Sequence, residues 1–390
     1  MLCFIYSSES AKINEVYKKM KRFLTWCKGQ PVLIISMIAA LISAFIIPPD
    51  KNYFSYCNRS VLIQLFCLMI TVAGFRSVGF FEAVTKLLLK KAGTVRRLGL
   101  ILMNLCFFSS MFVTNDVSLL TFVPLTILLF DKLHDPENMI RVIISETAAA
   151  NLGSMLTPVG NPQNLYIYAQ YQLDAGSFLT TMLPTGILSY ILVLILCMRL
   201  PKSICKAGIA DIPAISKKPA MAYLIMFIFC IMAVFRIVPD WICLIAAIIF
   251  PLIINRKLFM KVDYALLGTF VCFFVFVGNI ARISAVHNFF GSIINGKELI
   301  VSALLSQCIS NVPAAVMLSG FTKNAKELLL GVNIGGLGTP IASLASLISY
   351  HFYSKSDNAR SGKYLLIFSI VNFIMLILLL LFAQFIQPML

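Results

Sequence analysis

The phrase Asn151-Leu-Gly-Ser-Met-Leu-Thr157-Pro158 returns near the far end of the chain as Asn333-Ile-Gly-Gly-Leu-Gly-Thr339-Pro340, at a constant offset of 182. Each copy follows a second polar interruption of apolar sequence, Thr114-Asn115-Asp116 in the first half and Ser310-Asn311 in the second. The surrounding sequence is 59% hydrophobic and 12% charged, with a mean hydropathy of +0.91. Soluble domains approach twice that charged fraction, so this is a helical membrane chain, with apolar windows of about 18–25 residues along its whole length. In hydrocarbon each unpaired backbone group costs several kcal/mol. Breaks in a span therefore survive only where they are buried in protein or line a polar cavity.

Hydropathy predicts full spans over 31–48, 61–80, 177–200, 219–238, 241–255, 262–283 and 364–387. Two further spans, 137–171 and 327–352, are interrupted by the Gly/Thr-Pro phrases, which makes about nine crossings in all. The segments 98–130 and 298–322 are each broken near the centre by a polar tip. Arms such as 98–113 and 117–130 hold 14–16 residues. At about 1.5 Å per residue they reach roughly 21–24 Å, short of a core about 30 Å thick. They read as re-entrant hairpins.

The net charge of +16 is explained by the positive-inside rule rather than by a nucleic-acid partner. With the amino terminus inside, segments 1–30, 81–97, 131–141, 199–218, 256–261 and 353–363 hold 24 of the 32 Lys and Arg, against 6 in the outer segments. Arg76 and Arg282 lie within or at the ends of spans. This topology places the protein in the cell (inner) membrane with its amino terminus cytoplasmic and its carboxyl terminus outside. The basic stretch 1–30 leads into an uncleaved first span, since no small-residue cleavage site follows. The eleven scattered cysteines form no Cys-x-x-Cys pair and read as small membrane-helix residues.

The expected fold class is an all-α polytopic membrane protein built from two inverted-topology repeats. The first spans 31–200 and the second 241–390, each with one hairpin and one broken helix, joined by a cytoplasmic loop and connecting span over 201–240. The odd connecting span turns the second repeat upside down. Inverted repeats with broken helices are the architecture of many alternating-access transporters, with substrate and ion at the midplane.

Helix amino ends at such breaks suit a carboxylate or oxyanion, and helix carboxyl ends suit Na⁺. Thr114, Asn115, Ser310 and Asn311 add hydroxyl and amide groups that serve either ion. Gly153, Gly160, Gly335, Gly336 and Gly338 permit close backbone approach, and Pro158 and Pro340 each remove a helical donor. Asp116 is open to three roles: Na⁺ ligand, proton carrier, or cap for the arm that begins at Val117. Glu146 either snorkels to the cytoplasmic surface or faces the cavity. Arg76 and Arg282 can attract an anion, although Arg282 is better placed to mark the outer end of its helix, and no ligand cluster forms around His134, His287 or His351.

These motifs resemble the ion transporter superfamily, and within it the citrate-transporter-like permeases. That group includes divalent-anion/sodium symporters, arsenite permeases and a class of sodium/proton antiporters. The resemblance rests on Met111 to Leu120, on Asn151 to Asn164 with its Gly160-Asn161-Pro162-Gln163-Asn164 run, on Ser310-Asn311-Val312-Pro313, and on Asn333 to Pro340. It covers about residues 60–387 and is specific to the superfamily rather than to a substrate. Anion symporters of the group carry Ser-Asn-Thr at each tip, so Asn115 and Asn311 carry over as ligands of substrate and of a sodium ion shared with Asp116. The third tip positions, Asp116 and Val312, depart from that pattern, and Asp116 is closer to the arsenite and sodium/proton branches.

The resemblance implies a secondary transporter of a small anion, carboxylate or oxyanion, coupled to Na⁺ or H⁺. The expected site comprises Thr114, Asn115, Asp116, Asn151, Gly153, Thr157, Pro158, Gly160, Asn161, Asn164, Ser310, Asn311, Asn333, Gly335, Gly336, Thr339 and Pro340. A cation/proton antiporter or arsenite-type efflux permease using Asp116 is the alternative, and an ion channel a weaker one. No nucleophile–base pair, phosphate loop or metal cluster points to an enzyme or a cofactor. The expected partners are the anion and the lipid bilayer, and relatives of this group are often homodimers.

Overall fold

A computed structural model of the chain describes residues 30–51, 53–81, 83, 92–204, 217–357 and 359–386. The basic segment expected over 1–30 lies outside the described residues except for its last position, as does 205–216 of the connecting loop. The helices are α1 Pro31–Ile46, α2 Arg59–Ser77, α3 Val95–Val113, α4 Asn115–Lys132, α5 Pro136–Ser154, α6 Pro162–Gln170, α7 Ala175–Met198 and α8 Lys217–Val234. They continue as α9 Asp240–Ile254, α10 Tyr264–Ala281, α11 Ser284–Ile294, α12 Glu298–Ile309, α13 Asn311–Ser319, α14 Ala325–Ile334, α15 Leu344–Ser354 and α16 Ser361–Ile386. Among the described residues the only β contact is an isolated bridge between Thr94 and Ile204.

Polar residues set the helix starts. Asn58, Thr94, Asp135, Asn161, Asp174, Asp263 and Asn324 each accept a backbone N–H from the first turn of the helix that follows. Such caps contribute about 0.5–2 kcal/mol each. Pro31, Pro136 and Pro162 occupy first-turn positions where no donor is needed.

The chain forms two compact units. One comprises Met1–Cys57 and Asp263–Arg282. In it α1 packs along α10, and Asn279 Nδ2 donates to Ser43 Oγ at 3.1 Å and to Tyr53 Oη at 2.7 Å. Arg282 pairs with Asp50 at 2.9 Å and bonds Tyr56 at 3.0 Å, so it marks a helix end rather than an anion site. The other unit comprises Asn58–Val262 and Ile283–Leu390 and contains both polar tips and both repeated phrases. In it Arg76 is exposed in the last turn of α2, where a cation suits the helix dipole.

Both tip segments double back. Ser118 Oγ lies 2.7 Å from Ser109 Oγ and 3.3 Å from the Cys106 carbonyl, which a straight helix would hold roughly 14–18 Å apart. At the second tip, Thr322 beyond α13 donates to Glu298 at the start of α12, at 2.9 Å. Arm lengths differ from expectation. α3 and α4 have 19 and 18 residues, whereas α12 and α13 have 12 and 9. In the first hairpin Thr94 starts the helix one turn earlier than hydropathy alone suggests, and α4 carries on through Asp131 and Lys132. The Thr94 cap, not apolarity, sets where the first arm begins.

Among the described residues five helices are long and apolar enough to cross a membrane: α2, α3, α7, α10 and α16. A sixth arises if α11 and α12, bent by 109°, are taken as one span. The stretches at Pro31–Ile46, Pro219–Val234 and Asp240–Ile254 are apolar but shorter.

Segments that the charge count groups on one side meet each other. Lys363 and Arg360 bond Glu137 at 2.5 and 2.8 Å, and Val95 and Arg96 donate to the Ser203 and Pro201 carbonyls at 3.0 Å. At the opposite ends of the helices Tyr171 donates to the Thr322 carbonyl at 2.9 Å, Asn58 to Gln170 at 3.2 Å, and Gln64 to Asp240 at 2.8 Å.

The Glu137 cluster makes a pH prediction. The hydrogen bond from Lys363, reinforced by the charges of Lys363 and Arg360, holds the Glu137 carboxyl below its ordinary 4.5. A depressed carboxyl stabilises the fold above its unfolded pKa and loses that contribution as pH falls through the folded value. Glu137→Gln is expected to lower thermal stability at neutral pH by about 1 kcal/mol or less, because the pair is exposed. The difference from wild type should vanish once the pH is well below 4.5. Unfolding curves in detergent across that range check it, and a difference that grows on acidification would refute it.

Candidate functional site

The two tips have one backbone geometry. Thr114 sits at φ 72°, ψ 151° and Ser310 at φ 75°, ψ 155°. This region is populated almost only by glycine, and a side chain there costs about 1–3 kcal/mol. Such strain persists only where surrounding bonds hold it, and the repeated phrases supply them. Thr157 Oγ1 donates to the Met111 carbonyl, and Thr339 Oγ1 donates to the Gln307 carbonyl at 3.1 Å. Each carbonyl lies three residues before its tip, so the same bond clamps both arms.

Close packing repeats in the same way. A Cβ on Gly153 would lie 2.1 Å from the Phe107 carbonyl and 2.7 Å from Ser110 Oγ. One on Gly335 would lie 2.7 Å from Ala303 Cα and 2.9 Å from Ser306 Cβ. Phe107 and Ala303 are separated by 196 residues, as are Ser110 and Ser306, and so are the tips Thr114 and Ser310. Glycine is needed at both phrases because a helix crosses backbone-close to a hairpin arm.

Amide side chains then stitch the breaks. Asn333 Nδ2 donates to Asn164 Oδ1 at 2.6 Å and to the Leu329 carbonyl at 2.8 Å, while its Oδ1 accepts from Asn161 Nδ2 at 3.0 Å. Asn151, its counterpart in the first phrase, accepts from Ser343 Oγ at 3.0 Å and donates to Ser346 Oγ at 3.3 Å. The offset of 182 that carries Asn151 to Asn333 also carries Asn161 to Ser343 and Asn164 to Ser346. Each broken helix thus bonds the helix that restarts in the other half. Asn151 Oδ1 also accepts from Asn115 Nδ2 at 3.0 Å, joining the first tip to this network.

The free carbonyls of each break have one amide partner. Asn164 Nδ2 lies 3.2, 3.2 and 3.0 Å from the carbonyls of Ser154, Met155 and Thr157. In the second break Gln307 does this work: its Nε2 donates to Gly335 and Leu337 at 2.8 and 2.9 Å, and its Oε1 accepts from Thr339 N at 2.9 Å. Gly338, at φ +98°, presents its bare Cα to that amide.

The structure brings together nearly all the expected residues. Asn115, Asn151, Asn161, Asn164, Asn311 and Asn333 are each at most 5% exposed. Asn311 lies against Gly336, where a Cβ would come 2.9 Å from Nδ2. Gly160 accepts from Asn115 N at 3.2 Å, and a Cβ there would meet the Ser154 carbonyl. Pro158 lies in the first break, and Pro340 opens a single 3₁₀ turn over Pro340–Ala342. Asp116 is half-buried in the first turn of α4, where a carboxylate suits the positive end of the helix dipole. Glu146 does not snorkel: it is fully buried and accepts from Thr126 Oγ1 at 2.6 Å.

Four polar residues escaped sequence reasoning: Gln307, Ser343, Ser346 and Thr126. Extending the 182 offset past Pro340 would have found the two serines. Gln307 and Thr126 had no such signal, because their partners are set by the fold. Two open cavities, of about 700 and 610 Å³, are lined respectively by residues around His287 and Glu298 and by residues around Tyr168 and Asp240. Neither of these two is lined by a tip residue, and the asparagines of the network are themselves buried.

At either tip a helix carboxyl end meets a helix amino end, and neither Thr114 nor Ser310 caps the helix it precedes with its side chain. The starts of α4 and α13 are the positive ends of their helix dipoles and lie beside buried amides, with Asn115 N and Asp116 N at the first already bonded to the Gly160 carbonyl and Asn115 Oδ1. Two mutations test the structural side of this arrangement. Gly153→Val is expected to prevent assembly, read as loss of a monodisperse peak in detergent. Asn333→Ala strands several buried partners and should lower stability by about 2–4 kcal/mol. As a control, Ser346→Ala loses one long bond and should cost about 1 kcal/mol or less in the same unfolding assay.

A model described as citrate transporter matches residues 23–328. The chain is 35% identical over 354 residues to a protein named uncharacterized transporter MJ0456 of Methanocaldococcus jannaschii, covering 90% of this chain and 97% of that one. It is 30% identical over 333 residues to the inner membrane protein YbiR of Escherichia coli, covering 84% and 89%. Among solved structures, the Alcanivorax borkumensis YdaH transporter superposes with a TM-score of 0.57 at 13% identity, over 87% of this chain and 86% of that one. At that identity the likeness shows the fold alone. With its apolar helices and this sequence match, the chain is an integral membrane transporter, not an enzyme, and belongs to the citrate transporter family.

Proposed function

We propose that the protein is a secondary active transporter of a small anion, a carboxylate or an oxyanion, driven by Na⁺ or H⁺. The observation that carries this reading is the pair of strained tips with one backbone geometry, each preceding a helix start that the tip's own side chain does not cap. Helix amino ends present N–H groups and partial positive charge to an anion, and the amides of Asn115 and Asn311 add donors and acceptors to the same place. Substrate and ion would be held by Thr114, Asn115, Ser310 and Asn311, with Thr157 and Thr339 keeping the tips in position. The two halves insert in opposite senses, and one hairpin-bearing body moves against the remaining spans in an alternating-access cycle. The amino terminus is cytoplasmic, and the membrane is the inner one.

Asp116 supports a second reading, a cation/proton antiporter or efflux permease. It brings a carboxylate to one tip only, opposite Val312 at the other. A carboxylate beside an anion site is compatible with anion transport only when Na⁺ or a proton neutralises it.

Purified protein in liposomes, tested with citrate, succinate, sulfate, arsenite and Na⁺/H⁺ exchange under imposed gradients, separates these readings. Saturable, gradient-driven uptake of one anion is expected, with Asn115→Ala and Asn311→Ala each abolishing most of it. Asp116→Asn should keep anion uptake. Its loss together with wild-type Na⁺/H⁺ exchange would instead establish the antiporter, and a panel in which nothing moves would sink both.

A further inference from the structure

Glu146 occupies the middle of α5, fully buried, five residues before Asn151. One carboxyl oxygen accepts from Thr126 Oγ1 on α4 at 2.6 Å, and the other has no hydrogen-bond partner among the described residues. The titratable side chains whose electrostatics it enters are Cys106 of α3, Cys197 of α7 and Tyr364 of α16, and Tyr364 in turn stacks on Tyr353 of α15. α4 contributes only the Thr126 hydroxyl beside it. α14 and α15 also pack on α5; α15 bonds the neighbouring Thr147 through Ser349 at 2.8 Å. Glu146 forms no ion pair among the described residues.

An ionised carboxylate in such a place would pay several kcal/mol of desolvation with no cation to offset it. A neutral carboxyl needs only the bond it has, with a single O–H left to satisfy. Its one partner lies on the outgoing arm of the first hairpin, and α5 itself joins that hairpin's tip through Asn151 and Asn115. A separation of α4 from α5 at this level would break the Thr126 bond, the one hydrogen bond Glu146 makes among the described residues.

We infer that Glu146 is a proton-carrying group of the transport cycle, distinct from Asp116, loaded while α4 packs on α5 as here and unloaded when the arm withdraws. The step is a proton transfer alone. The carboxyl O–H breaks, the proton passes to water on the open side, and the carboxylate regains a proton from water on the other side before the arm closes. The inference rests on the transporter reading and names H⁺ as a coupling ion.

The test uses full-length protein in liposomes carrying an internal pH dye, with citrate, succinate, sulfate and arsenite as probes, and infrared spectra of the same samples. Wild type is expected to show probe-driven proton flux and, at neutral pH, a protonated-carboxyl carbonyl band that Glu146→Gln removes. Glu146→Gln mimics the neutral acid and keeps the acceptor for Thr126. It should fold, retain equilibrium exchange of the probe, and lose the proton flux. Thr126→Val, which removes the sole partner but leaves the carboxyl, should retain coupling with a shifted pH midpoint. If wild type moves a probe and Glu146→Gln carries protons with it as wild type does, the role of Glu146 is overturned while the transporter reading stands. A Glu146→Gln spectrum that loses no infrared band overturns it equally. If wild type moves no probe, the transporter reading fails and the coupling role falls with it.

Discussion

Backbone polar groups released inside an apolar bundle must find partners in the protein, and the repeated phrases are where this chain faces that demand. Each break exposes carbonyls that a continuous helix would satisfy. Leaving them bare would cost several kcal/mol apiece. Asn164 satisfies three in the first break, and Gln307 closes the second with two carbonyls and one N–H. Asn333 and Asn151 then tie each broken helix to the helix that restarts in the other half. Without these amides the breaks could not be buried, and without the breaks the tips would have nothing to rest on.

Strain at the tips follows from the same arrangement. A threonine and a serine adopt a conformation that favours glycine, and the threonine of each phrase holds the arm that leads into it. A side chain thereby takes the place where glycine would be relaxed, which keeps a hydroxyl at each tip. The two halves share this clamp, the glycine contact beneath it and the cross-half bonding, yet they differ in their polar chemistry. Asparagines in the first half face serines in the second, and Asp116 faces no carboxylate counterpart. The scaffold is nearly symmetric, and its charge is not.

Much of this was legible in the sequence. Hydropathy and charge identified a helical membrane chain, and the doubled phrase located both breaks, because Gly, Pro and Asn are out of place in a span. Of the amides named there, Asn161, Asn164 and Asn333 proved to bond in one chain, and Asn151 to bond Ser343, Ser346 and Asn115. Element ends were less legible: the first hairpin's arms run to 19 and 18 residues because capping by Thr94 and the polar end at Lys132 extend a helix past its apolar window. Gln307 and Thr126 gave no local signal, since each is defined by a partner roughly 20–30 residues away across a helix interface.

By itself, then, the sequence determined the solvent this chain folds in, the places where its helices must break, and the family it belongs to, because those follow from composition and from short local patterns. Only the tertiary structure decided what the breaks bond to. It showed that the two tips share one backbone geometry clamped by the threonine of each phrase, that Arg282 belongs to an ion pair, and that Glu146 is sealed against a hairpin arm. The physical reason is that a buried polar group acquires its meaning from its partner. Partners brought together from opposite ends of a chain cannot be read from either end alone.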